Sequence, residues 1–226
     1  MFIKKIVNKL REVYLYFYLF INKRILFTDN YGLSYYLYKN TRPVDTFRTG
    51  VRTDDTTVLV TVRKIIECNL HLKNIHCIDV GAFIGVVTLM MARTLRKSSN
   101  SWNVHSFEPS KTTFIRLTDN VNMIEQCQNI ELNNTGLSDR AGIQKMLIKK
   151  DSPGRNHLVS DFSESREDMD EVKISTLDEY LNKNSVEQIL LCKIDAEGVD
   201  DLVLKGMKSY MDRGRVDYLI LEYEDQ

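Results

Sequence analysis

Apolar positions along this chain change period once. In the first stretch, residues 1–27 (MFIKKIVNKLREVYLYFYLFINKRILF), they fall at Ile3, Ile6, Val7, Leu10, Val13, Tyr14, Phe17 and Ile21, the spacing of one helix face. A Tyr-rich, turn-prone stretch follows over 28–54, where TRPVDTFRTGVRTDD carries the Gly, Pro and Asp of connecting loops. Residues 56–68 read as a helix with an Asp or Thr cap among 53–55. From residue 75 the pattern alternates. Strands are predicted over 75–80, 104–107, 129–132, 172–175, 188–194 and 216–222, and helices over 86–96, 111–123, 177–182 and 201–211. A strand over 144–148 is expected to run antiparallel. Such alternation implies right-handed βαβ units, hence an α/β fold with a mostly parallel sheet and helices on both faces. The near-continuous apolar strands suit burial on both sides. The polar segment 149–171 (KKDSPGRNHLVSDFSESREDMDE) reads as a surface loop or a lid; a loop this long in a compact domain is often functional.

Composition adds limits. A chain of 226 residues, 43% hydrophobic, suits one domain with an extension. We divide it into 1–51, an amphipathic helix with its connecting segment, and 52–226, the main domain. Lysine plus arginine total 31 and aspartate plus glutamate total 31, a balance that argues against a nucleic-acid partner. Cys68, Cys77, Cys127 and Cys192 form no CxxC pair; they read as buried free thiols in a reducing, cytoplasmic compartment. The longest apolar run in 1–27 spans 13–21, short of the roughly 20 residues that cross a bilayer. With Lys4, Lys5, Lys9, Arg11, Lys23 and Arg24, the segment could rest peripherally on an anionic membrane; packing on the main domain is the simpler expectation.

Ligands of open α/β sheets bind beyond the carboxyl ends of the strands. After the first strand comes Asp79-Val80-Gly81-Ala82-Phe83-Ile84-Gly85, running into a helix. Gly81 permits a tight turn and Gly85 a close helix approach. A pyrophosphate fingerprint starting at Gly81 would need Gly where Phe83 stands, which disfavours an NAD-type oxidoreductase. Tyr35 and Lys39 form a Tyr-x-x-x-Lys pair, but before the first strand, so we read it as helix surface or loop. Glu108 ends the second strand, where a carboxylate can accept both hydroxyls of a ribose. A glycine loop with an acidic strand end and no phosphate signature suggests S-adenosylmethionine. A later strand ends Lys193-Ile194-Asp195-Ala196-Glu197-Gly198, and the last places Glu222 at the same end. Asp195 is the preferred base or orienting group and Glu197 the second; either could instead cap a helix. His105 reads as a satisfied core histidine, and His157 as a solvated loop residue. His71 and His76, on a loop, lack a carboxylate partner, so no metal is expected.

The ordered set IDVGAFIG, HSFEPS, NTGLSD, ISTLDEYL, LCKIDAEGVDDLVLKG and YLILEYE resembles the FkbM family of S-adenosylmethionine-dependent methyltransferases. The likeness covers residues 52–224, including the lead-in TDDTTVL at 53–59. It implies a Rossmann-like class I methyltransferase domain and O-methyl transfer to a small-molecule or glycan hydroxyl. It also implies cofactor contacts at Asp79, Gly81, Ala82, Gly85 and Glu108, with Leu137 and Ser138 near the adenine. Asp195 and Glu197 match its K-I-D-x-E-G block. The family commonly has Asn where Phe83 sits. Its sheet usually ends in an antiparallel strand pair, for which this sequence shows no counterpart after the fifth parallel strand. The last strand's edge would then need the N-terminal helix or a second subunit as cover. A cofactor-binding pseudoenzyme or partner-binding subunit is the alternative that this departure keeps open.

Overall fold

The computed structural model describes residues 24–29, 32–38, 53–148, 157–158 and 169–221. Its centre is a five-stranded parallel sheet. The strands are β3 (Ile75–Val80), β4 (Trp102–Phe107), β5 (Ile130–Asn133), β10 (Ile189–Ile194) and β11 (Val216–Leu221), in spatial order β11-β10-β3-β4-β5. The chain leaves β3 towards β4 and β5, then returns to lay β10 and β11 on its other side. The order therefore reverses between β3 and β10, and the crevice at their carboxyl ends is the place for a ligand.

Strand alternation divides the core. Ile75 and Cys77 face one side, with Leu59, Val62 and Ile66 of α1 (Thr53–Cys68), Leu89 of α2 (Val86–Leu95), and Leu117 and Val121 of α3 (Lys111–Val121). Ile78 and Val80 face the other, with Leu177 and Leu181 of α4 (Leu177–Lys183), Val203 of α5 (Asp200–Lys205) and Tyr210 of α6 (Lys208–Asp212). This is the two-period signature of a strand buried on both faces. The expected helix over 201–211 is interrupted. Gly206 and Met207 separate α5 from α6, and the carboxylate of Asp178 accepts hydrogen bonds from the Ser209 and Tyr210 amides at 2.9 and 3.2 Å. A side chain from α4 thus satisfies amides at the start of the second piece.

A smaller four-stranded sheet sits between β5 and α4. It orders β6 (Gly136–Leu137), β9 (Met169–Ser175), β7 (Gly142–Leu147) and β8 (His157–Leu158) as β6-β9-β7-β8. The strand expected over 144–148 does pair antiparallel, with β9 and β8. Part of the polar segment 149–171 is therefore strand, at 157–158 and 169–171; its other residues lie outside the description.

The amino-terminal reading needs correction. Residues 1–23 lie outside the description, but the final turn of the expected helix is strand β1 (Arg24–Thr28), paired antiparallel with β2 (Ser34–Tyr38). Tyr35 is neither helix surface nor loop. It is 1% exposed in β2, beside Leu33 and Leu37, and meets Phe27 edge to face; Lys39 is not described. Alternating apolar residues in LFTDNYGLSYYLY fold back around an Asp29–Gly32 turn, and long-range packing overrides the helical spacing. The hairpin rests on α3: Asn120 accepts from the Tyr36 amide at 2.6 Å and donates to the Ile84 carbonyl at 2.8 Å. Among the described residues no helix is long and apolar enough to cross a membrane.

Candidate functional site

The glycine loop leaves β3 with its backbone already committed. The amides of Gly81 and Ala82 both donate to the Phe107 carbonyl, at 3.1 and 2.9 Å. The Phe83 amide donates to Glu108 Oε2 at 3.1 Å, and the Gly85 amide to the Ala82 carbonyl at 2.8 Å. A phosphate cradle needs such amides turned towards the ligand. Four of them are spent internally, which strengthens the case that Phe83 made against a pyrophosphate.

Gly81 has φ +70°, and a Cβ there would stand 1.7 Å from the Asp195 carbonyl oxygen. The loops after β3 and β10 thus touch through backbone, which only glycine allows. Gly85, at φ +94°, heads α2; a Cβ would meet Leu117 of α3 at 2.7 Å. The close approach it permits is therefore helix to loop, not helix to strand. Phe83 adopts φ +50°, a left-handed conformation that suits Asn far better than a bulky side chain.

Glu108 is 7% exposed. One carboxylate oxygen holds the Phe83 amide and the other the Ser110 amide at 2.9 Å. Burial pushes its carboxyl up to about 8, against the pull of those two donors and of Lys193. Each oxygen keeps a second lone pair, so the group could accept a pair of ligand hydroxyls, which would favour its charged form.

Asp79 is fully buried beneath the loop. It accepts from the Thr88 hydroxyl of α2 at 2.6 Å and lies 3.5 Å from the Lys193 ammonium; Thr88 also meets the Ser106 hydroxyl at 2.8 Å. Burial raises the Asp79 carboxyl above the ordinary range, and Lys193 and Thr88 pull it back. The Lys193 ammonium also donates to the carbonyls of Val80 and Gly81 at 3.2 and 3.1 Å, and pairs with Asp195 at 3.2 Å. The Asp195 side chain is 32% exposed, at the crevice. Glu197 is exposed at φ +50°. The N-cap of α5 is Val199, which makes no side-chain cap hydrogen bond, so neither Asp195 nor Glu197 fills that position; Asp200 Oδ1 accepts the Ala196 amide at 3.0 Å and closes the preceding turn.

Leu137 and Ser138 are buried: Leu137 packs in the core with Phe107 and Leu177, and the Ser138 amide donates to the Ser175 carbonyl at 3.0 Å. Ala82 is 4% exposed. Glu222 and the His157 side chain lie outside the description. His76 belongs to β3, not to a loop. Its Nδ1 is 3.0 Å from His105 Nε2, and His105 Nδ1 is 3.0 Å from the Tyr180 hydroxyl. Burial, then the neighbouring His76, lowers His105 to about 4. Among the described residues no three His, Cys, Asp or Glu side chains gather as a metal site would require. Cys77 and Cys192 are buried free thiols, whereas Cys68 is exposed. Sequence reading missed Lys193, Thr88 and Asp200. Lys193 carried the clearest signal: a lone charge inside the apolar strand ILLCKI is buried only when paired.

Comparison with known proteins adds the following. A family profile described as the methyltransferase FkbM domain matches residues 79–226. No curated protein matches the chain. Among solved structures, the chain is similar to the crystal structure of methyltransferase FkbM from Methylobacillus flagellatus KT. The TM-score is 0.44 at 14% identity, covering 62% of this chain and 30% of that one. The chain thus spans about a third of that protein's length. By the domain match over most of its length, the chain belongs to the FkbM methyltransferase family.

Proposed function

We propose that this protein binds S-adenosylmethionine and transfers its methyl group to a hydroxyl oxygen of a small molecule or glycan. The observation that carries this reading is Glu108, a buried carboxylate at the end of β4 beside a glycine loop four of whose amides are already spent. That donor set fits a nucleoside without phosphates: an acceptor for ribose hydroxyls is present, and the amide cradle for a pyrophosphate is not. When bound, the cofactor supplies a methyl group already activated by its sulfonium. The chain's task is then alignment and exclusion of water. Glu108 would take the ribose. Gly81 lets the β3 and β10 loops close on one another. Asp195, at the crevice, would orient the acceptor hydroxyl or take its proton, with Glu197 as the second carboxylate at that rim.

Titration calorimetry with S-adenosylmethionine and, separately, NAD tests the reading. Binding of the first and not the second is expected; no S-adenosylmethionine binding would refute it. Glu108→Ala should weaken binding at least tenfold, since hydrogen bonds to a charged group contribute about 1.5–3 kcal/mol each and ~1.4 kcal/mol is a factor of ten.

A further inference from the structure

Lys193 has no role in the reading above, yet its ammonium pairs with Asp195 at the crevice. Its side chain is 7% exposed. In the parallel pairing of β10 with β3, Lys193 lies in register with Asp79, so both side chains project from the same sheet face. From there the ammonium reaches four oxygens belonging to three positions of the site. It meets the Asp79 carboxylate under the loop, the Val80 and Gly81 carbonyls at the loop's start, and the Asp195 carboxylate at the crevice. The other side of the same two peptide groups, Val80–Gly81 and Gly81–Ala82, is held by Phe107, whose carbonyl accepts the Gly81 and Ala82 amides. Gly81 is thus fastened on both sides, by its carbonyl to Lys193 and by its amide to Phe107.

We propose that Lys193 is a positioning residue for cofactor binding. Its ammonium fixes the orientation of the glycine loop and holds Asp195 as a carboxylate aimed at the crevice. Two features separate this from a purely structural ion pair. A buried lysine that only balanced Asp79 would need no second carboxylate, yet Asp195 is the more exposed partner and the nearer one, at 3.2 Å against 3.5 Å. And a purely structural pair could be replaced by neutral groups of similar size without loss, whereas the two loop carbonyls and Asp195 need a donor at this point. The consequence for the site is that Asp195 is held in one orientation at the crevice. It serves the site as a fixed negative acceptor for a ligand's hydroxyl or cationic group.

The proposal rests on the S-adenosylmethionine reading, and its test separates the two. Four full-length proteins are compared: wild type, Lys193→Arg, Asp79→Asn, and the double variant Asp79→Asn/Lys193→Met. Each is assayed for thermal stability without ligand and for S-adenosylmethionine affinity by calorimetry. The double variant removes both buried charges, so it should fold with a melting temperature near that of Asp79→Asn. Its affinity should nevertheless fall at least tenfold below that of Asp79→Asn, and Lys193→Arg should retain more affinity than the double variant. Equal affinity in Asp79→Asn and the double variant would overturn the proposal, because Lys193 would then only balance Asp79. A double variant that does not fold would also overturn the proposal, because Lys193 would then serve the fold rather than the cofactor loop. Wild type that binds no S-adenosylmethionine would refute the cofactor reading instead, and with it the role assigned to Lys193.

Discussion

Gly81 occupies a point where no side chain fits. A Cβ there would overlap the Asp195 carbonyl oxygen at 1.7 Å, and φ is +70°. The clash is with backbone, so a neighbouring rotamer cannot relieve it. Gly81→Ala should therefore destabilise the protein by more than about 2 kcal/mol, left-handed strain plus displacement of the β10 loop. A lowered urea midpoint would register this, and an unchanged midpoint would show that the loops part easily. The buried imidazoles make a second prediction at this scale. His76 and His105 both have lowered pKa values, His105 to about 4. Their contribution is present above the ordinary histidine value of 6.5 and is lost as pH falls towards 4. Glu108 works in the opposite sense: raised to about 8, it contributes stability below its ordinary 4.5 that is lost as pH rises through 8. The two slopes separate by mutation. Between pH 7 and 5, His105→Gln should lose less melting temperature on acidification than wild type, and Glu108→Gln should lose more.

The elements of the central sheet were legible because their signal is local. IHCIDV carries its strand in the sequence itself, and the observed β3 has the expected bounds. The break between α5 and α6 was not legible, because the group that satisfies the second helix comes from another element. Asp178 lies about thirty residues before the amides it accepts. Asp178→Ala should cost about 1 kcal/mol, the usual value of a lost cap, seen as a lower denaturant midpoint with an unchanged slope. The hairpin β1–β2 was misread for a similar reason. RILF continues the helical spacing of the preceding residues, and only pairing with SYYLY, at long range from α3, makes it a strand.

At the scale of the whole molecule, the hairpin is connected to the site. Leu33, Tyr35 and Leu37 are buried in the core cluster on the α2 side, and Asn120 links Tyr36 to the carbonyl of Ile84 within the glycine loop. A variant lacking residues 1–38 should therefore be less stable and expose apolar surface to a hydrophobic dye. An unchanged melting temperature would show that the hairpin does not support the domain.

By itself the sequence determined the α/β alternation, the strand-end positions of Asp79, Glu108, Asp195 and Glu197, and the family resemblance. Those follow from period, turn chemistry and order along the chain. Only the tertiary structure decided which of these residues face the crevice. Asp79 lies under the loop, Leu137 and Ser138 are buried, and Asp195 shares the ammonium of Lys193. The physical reason is register. Whether a charge at a strand end meets solvent, a ligand or a counter-charge depends on the residue beside it in the next strand, and for Lys193 that neighbour is Asp79, more than a hundred positions earlier.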